Sequence, residues 1–220
     1  MANVLIIGAN RGIGLALTTA YANRGDRVYG TSRTGSSTIE SAGGHPIDGV
    51  DVTKEEGADT LRSALEGIQI DLAIINAGLL ARTPLENLDF GTVARQIEVN
   101  AIGALRMAHC ILPSLTEGSK LGIVTSRMGS IADNTSGGGY GYRMSKAAGN
   151  SVGKSLSIDL EPRGIAVRLL HPGWVRTEMT GGTGHVSAEE AASGLIQRMD
   201  ELTLQTTGEF WHAQGTPLPW

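Results

Sequence analysis

The sequence predicts an α/β fold in which a doubly wound parallel sheet carries helices on both faces. Short apolar runs bounded by Gly, Asn or Pro recur along the chain, which is typical of strands buried on both faces. Segments with helical periodicity lie between these runs, and this alternation favours a parallel sheet. The predicted strands are residues 4–7, 27–30, 72–75, 122–125 and 165–170, with a further strand at 208–211.

The helical segments are predicted at residues 13–22, 54–66, 92–115, 145–160 and 187–200. Ser187 followed by Glu190 forms a capping box, which marks the start of the last helix. The chain has 220 residues, a length that suits one hydrophobic core, and no linker or change of composition marks a boundary. We therefore expect a single domain over residues 1–220.

The composition argues against several functions. A net charge of −4 and a pI of about 5.7 disfavour a broad basic surface for nucleic acid. No apolar run reaches the length of a membrane span, and the first residues lack the basic region of a signal peptide. The single Cys110 cannot form an intrachain disulfide and is expected to be a buried thiol. These features predict a cytoplasmic protein that acts on a small molecule, without nucleic-acid or membrane partners.

The first predicted strand is followed by GANRGIG, with Gly8, Gly12 and Gly14. Glycines between a strand and a helix let the backbone approach a pyrophosphate, and the helix N-terminus supplies free N–H groups. The same glycines could instead serve tight packing of the strand against the helix. Because this is the first strand–helix turn of the chain, the motif favours dinucleotide binding.

The end of the second predicted strand indicates which dinucleotide is bound. NAD-binding folds usually place an acidic residue there for the ribose 2′-OH, but no acid occurs from residue 27 to residue 35. Arg33 stands at that place, and Arg11 lies inside the glycine loop. Guanidinium groups attract a 2′-phosphate, so the sequence favours NADP(H), although Arg33 could be an ordinary solvated residue.

Tyr142 and Lys146 are four residues apart, so on a helix they share a face. A nearby ammonium favours the phenolate and is expected to lower the pKa of the phenol from its usual value of about 10. Such a phenol can exchange a proton with a carbonyl or an alcohol. Without the preceding glycine loop, the pair would be interpreted as ordinary helix surface.

Taken together, these motifs resemble the short-chain dehydrogenase/reductase family. The resemblance spans residues 3–177 and implies a single-domain Rossmann fold. The run from residue 125 to residue 146, with the stretch GEFWHAQGTPLPW, looks like the branch of C-factor and Sniffer-type carbonyl reductases. The motifs, in the family's order, are GANRGIG, DVT at 51–53, NAG at 76–78, EVNAIGA around Asn100, IVTS ending at Ser126, Tyr142 with Lys146, and HPGWVRT at 171–177.

The resemblance implies four catalytic residues. Ser126 would hydrogen-bond the substrate carbonyl and stabilise the developing oxyanion. Tyr142 would be the general acid/base, and Lys146 would lower its pKa and bind the ribose hydroxyls. Asn100 would lie at a kink in the long helix and hold a water that links Lys146 to solvent.

For the cofactor, the resemblance implies that DVT meets the adenine, that NAG closes over the cofactor and that HPGWVRT contacts the nicotinamide carboxamide. Each segment could alternatively be only a turn or a strand end. The full expected set is Gly8, Asn10, Arg11, Gly12, Ile13, Gly14, Arg33, Asp51, Val52, Asn76, Ala77, Gly78, Tyr142, Lys146, Pro172, Gly173, Val175 and Thr177.

Two positions depart from the family's pattern, because Ile7 replaces the usual Thr before Gly8 and Ile75 replaces the first Asn of the NNAG motif. Both substitutions bear on hydrogen bonding around the cofactor loop. The choice of serine is also open, since Ser126 and Ser130 both precede the tyrosine. Ser126 is favoured because it ends a predicted strand, where side chains reach the ligand crevice.

The short glycine-rich stretch at about 178–190 is expected to form a substrate lid over an open pocket. Trp174, Met179 and Tyr140 could line that pocket, as could Arg127 or Met128. No spacing typical of metal ligands occurs, so no metal site is expected.

The sequence thus predicts an NADPH-dependent oxidoreductase that reduces a ketone or aldehyde reversibly. The alternative is a non-catalytic NADP(H)-binding regulator or redox sensor of the same fold. A homodimer or homotetramer paired through the long helices is also expected.

Overall fold

A computed structural model describes residues 1–35 and 37–220, and it contains one seven-stranded parallel sheet. The strand order is β3-β2-β1-β4-β5-β6-β7, so the sheet grows outward in both directions from β1. The strands are β1 Asn3–Ile7, β2 Arg27–Thr31, β3 His45–Ile47, β4 Ile70–Ile75, β5 Leu115–Val124, β6 Ala166–His171 and β7 Glu209–His212.

Helices cover both faces of this sheet, which confirms the predicted doubly wound α/β fold. They are α1 Gly12–Asn23, α2 Ser37–Ser41, α3 Glu55–Ala64, α4 Phe90–Ile97, α5 Gly103–Ile111, α6 Tyr140–Leu160 and α7 Ala188–Asp200. The predicted capping box is present at the start of α7, where the Glu190 N–H donates to the Ser187 hydroxyl.

Two hydrophobic cores lie on opposite faces of the sheet, and alternate residues of β1 enter different cores. Val4 and Ile6 pack with Leu17 of α1 and Leu195 of α7. Leu5 and Ile7 belong to the other core, whose members include Leu61 of α3, Met107 of α5 and Leu156 of α6. Because side chains of a strand alternate between faces, a strand buried on both faces is apolar throughout, which explains the continuous apolar runs.

The predicted helix at 92–115 is wrong as a single element. A π-helical turn, Glu98–Ile102, separates α4 from α5, and β5 already begins at Leu115. The early part of β5 is polar and was not recognised, because its residues 116–118 are exposed and its pairing with β4 is irregular between Ile70 and Leu72.

Two further features differ from the sequence expectation. The three-residue strand β3 was missed, since HPI is too short to give an apolar run. The helix expected at 145–160 begins earlier, at Tyr140, directly after Gly139 in the left-handed conformation (φ 59°). This earlier start places Tyr142 and Lys146 on the same helix. Among the described residues, no helix has the length and apolarity that a membrane crossing requires.

Candidate active site

The glycine loop connects β1 to α1 through backbone conformations that other residues rarely adopt. Gly8 and Gly12 have φ values of 85° and 52°. A Cβ atom on Gly14 would lie 1.9 Å from the carbonyl oxygen of Gly8, so that position accepts no side chain without movement of the loop. Among the residues that the structure describes, no side chain caps the start of α1, which leaves its first N–H groups available.

Hydrogen bonds from neighbouring strands hold this loop. The Asn76 side-chain amide donates to the Gly8 carbonyl at 2.8 Å, and the Gly8 N–H donates to the Thr31 hydroxyl at 3.1 Å. The backbone N–H groups of Asn76 and Ala77 both donate to the Ile7 carbonyl. The loop is therefore well anchored although Ile7 and Ile75 depart from the family's pattern, and Thr31 was missed by sequence reasoning.

A cavity of about 570 Å³ opens beside the loop, at the carboxyl ends of the strands. Twelve of the expected cofactor residues line it: Gly8, Asn10, Arg11, Gly12, Ile13, Arg33, Asp51, Val52, Asn76, Ala77, Gly78 and Thr177. The lining also includes residues that the sequence did not single out, namely Thr31, Ser32, Thr34, Val50, Thr53, Leu79, Arg95, Val99 and Glu178. Most of these are sequence neighbours of the expected residues, which is the signal that could have found them.

The remaining expected cofactor residues lie outside this lining. Gly14 is packed behind the loop, against the carbonyl of Gly8. Gly173, next to Pro172 at the end of β6, faces His212 and Val186. Val175 is buried and pairs with Val186 in an isolated bridge, which ties the end of β6 to the segment expected to form the lid.

Charged groups at the cavity differ in how they are paired. Burial favours a higher pKa for Asp51, but hydrogen bonds from Thr53 and the charges of Arg33 and Lys54 outweigh it, so the pKa lies below its usual value. Arg11 donates to Glu178 at 2.5 Å and so joins the glycine loop to the segment expected to form the lid. Both arginines line the cavity, but only Arg11 makes an ion pair within 4.0 Å among the described residues.

Helix α6 brings Tyr142 and Lys146 together on one side. The Lys146 ammonium lies 5.7 Å from the centre of the Tyr142 ring and donates to the Val124 carbonyl at 3.0 Å. Lys146 is only 4% exposed. A Cβ on Gly78 would lie 3.7 Å from the same ammonium, so Lys146 is next to the cavity wall.

The expectation that the pKa of Tyr142 lies below its usual value is wrong for this structure. Burial raises the pKa of Tyr142 to about 12, with only a hydrogen bond to the Ser126 hydroxyl acting in the opposite direction. Burial also lowers the pKa of Lys146 to about 8. The loss of water around both groups therefore dominates their titration, because desolvation disfavours each charged form.

Ser126 follows β5 and begins a short 3-10 turn, Arg127–Gly129. Its hydroxyl oxygen accepts a hydrogen bond from the Met128 N–H at 3.1 Å. A Cβ on Gly129 would lie 2.7 Å from the carbonyl carbon of Lys146, so this turn packs closely against α6. The alternative serine, Ser130, is buried and accepts from the Asp133 N–H within its own loop.

Asn100 lies in the π-helical turn, where a kink was expected. Its side-chain oxygen accepts from the Leu79 N–H at 2.7 Å, and its amide donates to the Leu79 carbonyl and to the Ser145 hydroxyl, both at 2.8 Å. Asn100 thus joins the loop after β4 to helix α6. Its expected role in holding a water stays a prediction.

Thr177 caps a short turn, Glu178–Thr180, at the start of the segment expected to form the lid. Met179 in this turn lines the cavity and is partly exposed, as is Trp174 at the end of β6. Tyr140 lies two residues before Tyr142 on α6 and is also partly exposed. Within residues 1–35 and 37–220, no three His, Cys, Asp or Glu side chains are grouped so as to hold a metal ion.

The fold and the glycine-lined cavity at the carboxyl edge of the sheet define a dinucleotide-binding α/β protein. More particularly, the chain belongs to the short-chain dehydrogenase family, whose model, described as short chain dehydrogenase, matches residues 2–187. Membership of this family makes it an oxidoreductase of CH–OH and C=O groups.

Two curated relatives illustrate the similarity. The chain is 41% identical over 226 residues to 1-hydroxy-2-glutathionyl-2-methyl-3-butene dehydrogenase of Rhodococcus sp. (strain AD45), with 100% of both chains covered. It is 43% identical over 154 residues to C-signal of Myxococcus xanthus, which covers 69% of this chain and 93% of that protein.

Solved structures agree with this assignment. Carbonyl reductase Sniffer of D. melanogaster superposes with a TM-score of 0.92 at 28% identity. A carbonyl reductase from Pseudomonas aeruginosa PAO1 in complex with NADP superposes with a TM-score of 0.88 at 33% identity. Both comparisons cover 100% of each chain, and together with C-signal they confirm the resemblance inferred from the sequence.

The burial of Lys146 predicts an unusual titration. In a protein labelled with [13Cε]lysine, the Lys146 resonance should titrate near pH 8, because burial disfavours its charged form. The chain has only four lysines, so the resonance can be assigned by its loss in Lys146→Met. A midpoint near the ordinary value of about 10.4 would show that the ammonium is solvated instead.

Proposed function

We propose that the protein is an NADPH-dependent reductase of ketones or aldehydes that also runs in reverse toward alcohols. The observation that carries the proposal is the convergence of Ser126, Tyr142 and Lys146 at the end of β5, next to the wall of the nucleotide-sized cavity. This arrangement offers a hydroxyl, a phenol and an ammonium around one small region.

The cavity residues fit a dinucleotide. The glycine loop leaves no room for a Cβ at Gly14 and presents the uncapped start of α1, which suits a pyrophosphate. Arg33 offers a guanidinium to a 2′-phosphate, while Asp51 and Val52 would contact the adenine. When bound, the nicotinamide supplies or accepts the hydride.

Tyr142 is proposed as the proton donor in reduction. With a pKa of about 12 the phenol keeps its proton at neutral pH and can deliver it to the carbonyl oxygen as that oxygen gains charge. Lys146, whose pKa is about 8, is mostly an ammonium at pH 7, and its charge stabilises the phenolate that remains. The lysine therefore acts on the phenolate that forms during reaction.

Ser126 is proposed to stabilise the same substrate oxygen. Its hydroxyl oxygen accepts from the Met128 N–H, and its O–H, which lies beside the Tyr142 oxygen, would donate to the carbonyl oxygen when substrate is bound. Residues 178–190 are proposed as the lid over the substrate, with Met179 contributing an apolar contact.

The names of the relatives suggest which substrates to try first. One relative is a dehydrogenase of a hydroxylated glutathione conjugate, and the similar structures are carbonyl reductases. A useful panel therefore includes aliphatic and aromatic carbonyls together with hydroxyalkyl conjugates of glutathione. The similarity to C-signal keeps the second candidate, a non-catalytic NADP(H)-binding regulator, in consideration. The presence of all four expected catalytic residues favours the enzyme.

Tyr142→Phe tests the reductase. The substitution removes the proton donor while leaving the ring, so turnover of a carbonyl by NADPH should fall at least about a hundredfold, with NADPH binding retained. The matched control is Tyr29→Phe, which removes a phenol in β2 that packs against His45 and should leave kcat unchanged. Equal turnover in Tyr142→Phe and wild type would refute the proposed proton donor.

Arg33→Ala tests the cofactor preference. Loss of a charged hydrogen-bond donor should weaken NADPH binding by about tenfold or more and leave NADH binding nearly unchanged. Arg27→Ala, at the other end of β2, removes a second exposed arginine and serves as the control. Titration calorimetry with both nucleotides measures the effect, and a parallel loss for NADH would contradict recognition of the 2′-phosphate.

We also propose a cytoplasmic homodimer or homotetramer paired through α5 and α6. The location rests on the single buried thiol of Cys110, which fits a reducing compartment. The pairing rests on apolar side chains exposed near or on these helices, namely Ile102 (45%), Leu105 (45%), Met144 (52%) and Ile158 (59%). A surface of this kind favours self-association.

Light scattering tests the assembly. At micromolar concentration the wild type should have at least twice the mass of one chain, and Leu105→Glu should reduce that mass because it places a charge in an apolar interface. Leu204→Glu, at an exposed leucine outside α5 and α6, should leave the mass unchanged. A monomeric wild type would refute the proposal.

A further inference from the structure

A buried hydrogen bond lies directly behind the proposed catalytic residues. The Thr125 hydroxyl donates to the Asn150 side-chain oxygen at 2.7 Å and lies 3.4 Å from the Lys146 carbonyl. Thr125 is 3% exposed and Asn150 is 4% exposed. Thr125 immediately precedes Ser126, and Asn150 follows Lys146 by one helical turn, so the bond joins the two chain segments that carry the proposed chemistry.

Stability alone does not explain why this pair is polar. The Asn150 amide nitrogen is buried and has no hydrogen-bond partner in the part of the chain that the structure describes. An unpaired buried donor destabilises a fold, whereas two apolar side chains of the same shape would be nearly neutral. The pair must therefore do something that an apolar contact cannot do. A directional hydrogen bond can fix the position of one chain segment relative to another.

The position that this bond can fix is that of the end of β5 relative to helix α6. The Lys146 ammonium bonds the Val124 carbonyl, and the Thr125–Asn150 bond forms a second link one residue further along the strand. The Thr125 N–H also donates to the Leu170 carbonyl at 2.8 Å, which extends the pairing of β5 with β6 beyond Val124. Thr125 is thus held from two sides, and the position of Ser126 follows from it.

We propose that Thr125 and Asn150 form a positioning pair that holds Ser126 at its working distance from Tyr142 and keeps Lys146 against the end of β5. The role rests on the proposed reductase function, since it concerns the residues of that site. Neither residue is expected to contact the substrate, because both are buried behind the site. Small displacements of reacting groups have large effects on rate, so a bond at this place can control turnover without controlling cofactor binding.

The test compares Thr125→Val, which keeps the shape and removes the hydroxyl, with Thr125→Ser, which keeps the hydroxyl. Thr125→Val should lower kcat about tenfold, while the Kd for NADPH changes by less than about threefold. Thr125→Ser, which keeps the hydroxyl, should retain most of the wild-type kcat. In [13Cε]lysine spectra, Thr125→Val should also move the Lys146 midpoint upward, because a loosened strand end admits water to the ammonium.

Ser119→Ala is the matched control for the loss of a buried hydroxyl. Ser119 lies in the same strand, away from the site, and its hydroxyl donates to the Ile70 carbonyl at 2.8 Å. This variant should lose stability without a change in kcat or in the Lys146 midpoint. If it lowers kcat as much as Thr125→Val does, the effect is general destabilisation and the positioning role is wrong.

A double variant keeps the proposal testable if Thr125→Val alone does not fold. The pair Thr125→Val with Asn150→Leu removes both polar groups, so no buried donor is left unpaired, and it should fold with kcat lowered as in the single variant. Wild-type kcat together with a wild-type Lys146 midpoint in this folded protein would overturn the proposal. If the wild type reduces no carbonyl of the panel, the reductase function fails, and the Lys146 midpoint alone then decides whether the pair positions Lys146.

Discussion

The site depends on one contact, the hydrogen bond from the buried Lys146 ammonium to the Val124 carbonyl. A cation removed from water is stable only where fixed dipoles replace its hydration. The last carbonyl of β5 supplies such a dipole, so the lysine can be buried only if helix α6 lies against that strand end. The contact therefore sets where the helix lies, and with it where the Tyr142 phenol and the Ser126 hydroxyl meet.

Despite their burial, both groups keep the protonation state that the proposed reduction requires. Desolvation raises the pKa of Tyr142 and lowers that of Lys146, so near neutral pH the phenol keeps its proton while the amine still carries most of its charge. Only a phenol whose pKa lay below the working pH would have lost its proton before the carbonyl was reduced. In the proposed reduction, the ammonium 5.7 Å from the ring centre would act on the charge that forms as the proton leaves Tyr142.

The sequence was most informative where function depends on local spacing. Three features were predictable because each is visible within a few residues of sequence. They are the glycine loop, the apolar strands, and the placement of Tyr142 and Lys146 on one face of a helix. The links between segments were not predictable. The bond from Asn76 to Gly8 spans 68 residues and that from Thr125 to Asn150 spans 25, so no local pattern indicates them. The direction of the Tyr142 pKa was misjudged for the same reason, since spacing along a helix identifies neighbours but does not measure burial.

These long-range bonds also connect the nucleotide cavity to Tyr142, the proposed proton donor. Asn76 holds the glycine loop, and three residues later the backbone of Leu79 is bonded at both its N–H and its carbonyl by Asn100. The Asn100 side-chain amide also donates to the Ser145 hydroxyl, and this hydroxyl donates to the Tyr142 carbonyl at 2.8 Å. Each member of this series is buried or partly buried and has its partner, so hydrogen bonds link the glycine loop to the helix that carries Tyr142. The π-helical turn directs the Asn100 side chain to the loop after β4 and to helix α6 at once, so the kink between α4 and α5 joins these two segments.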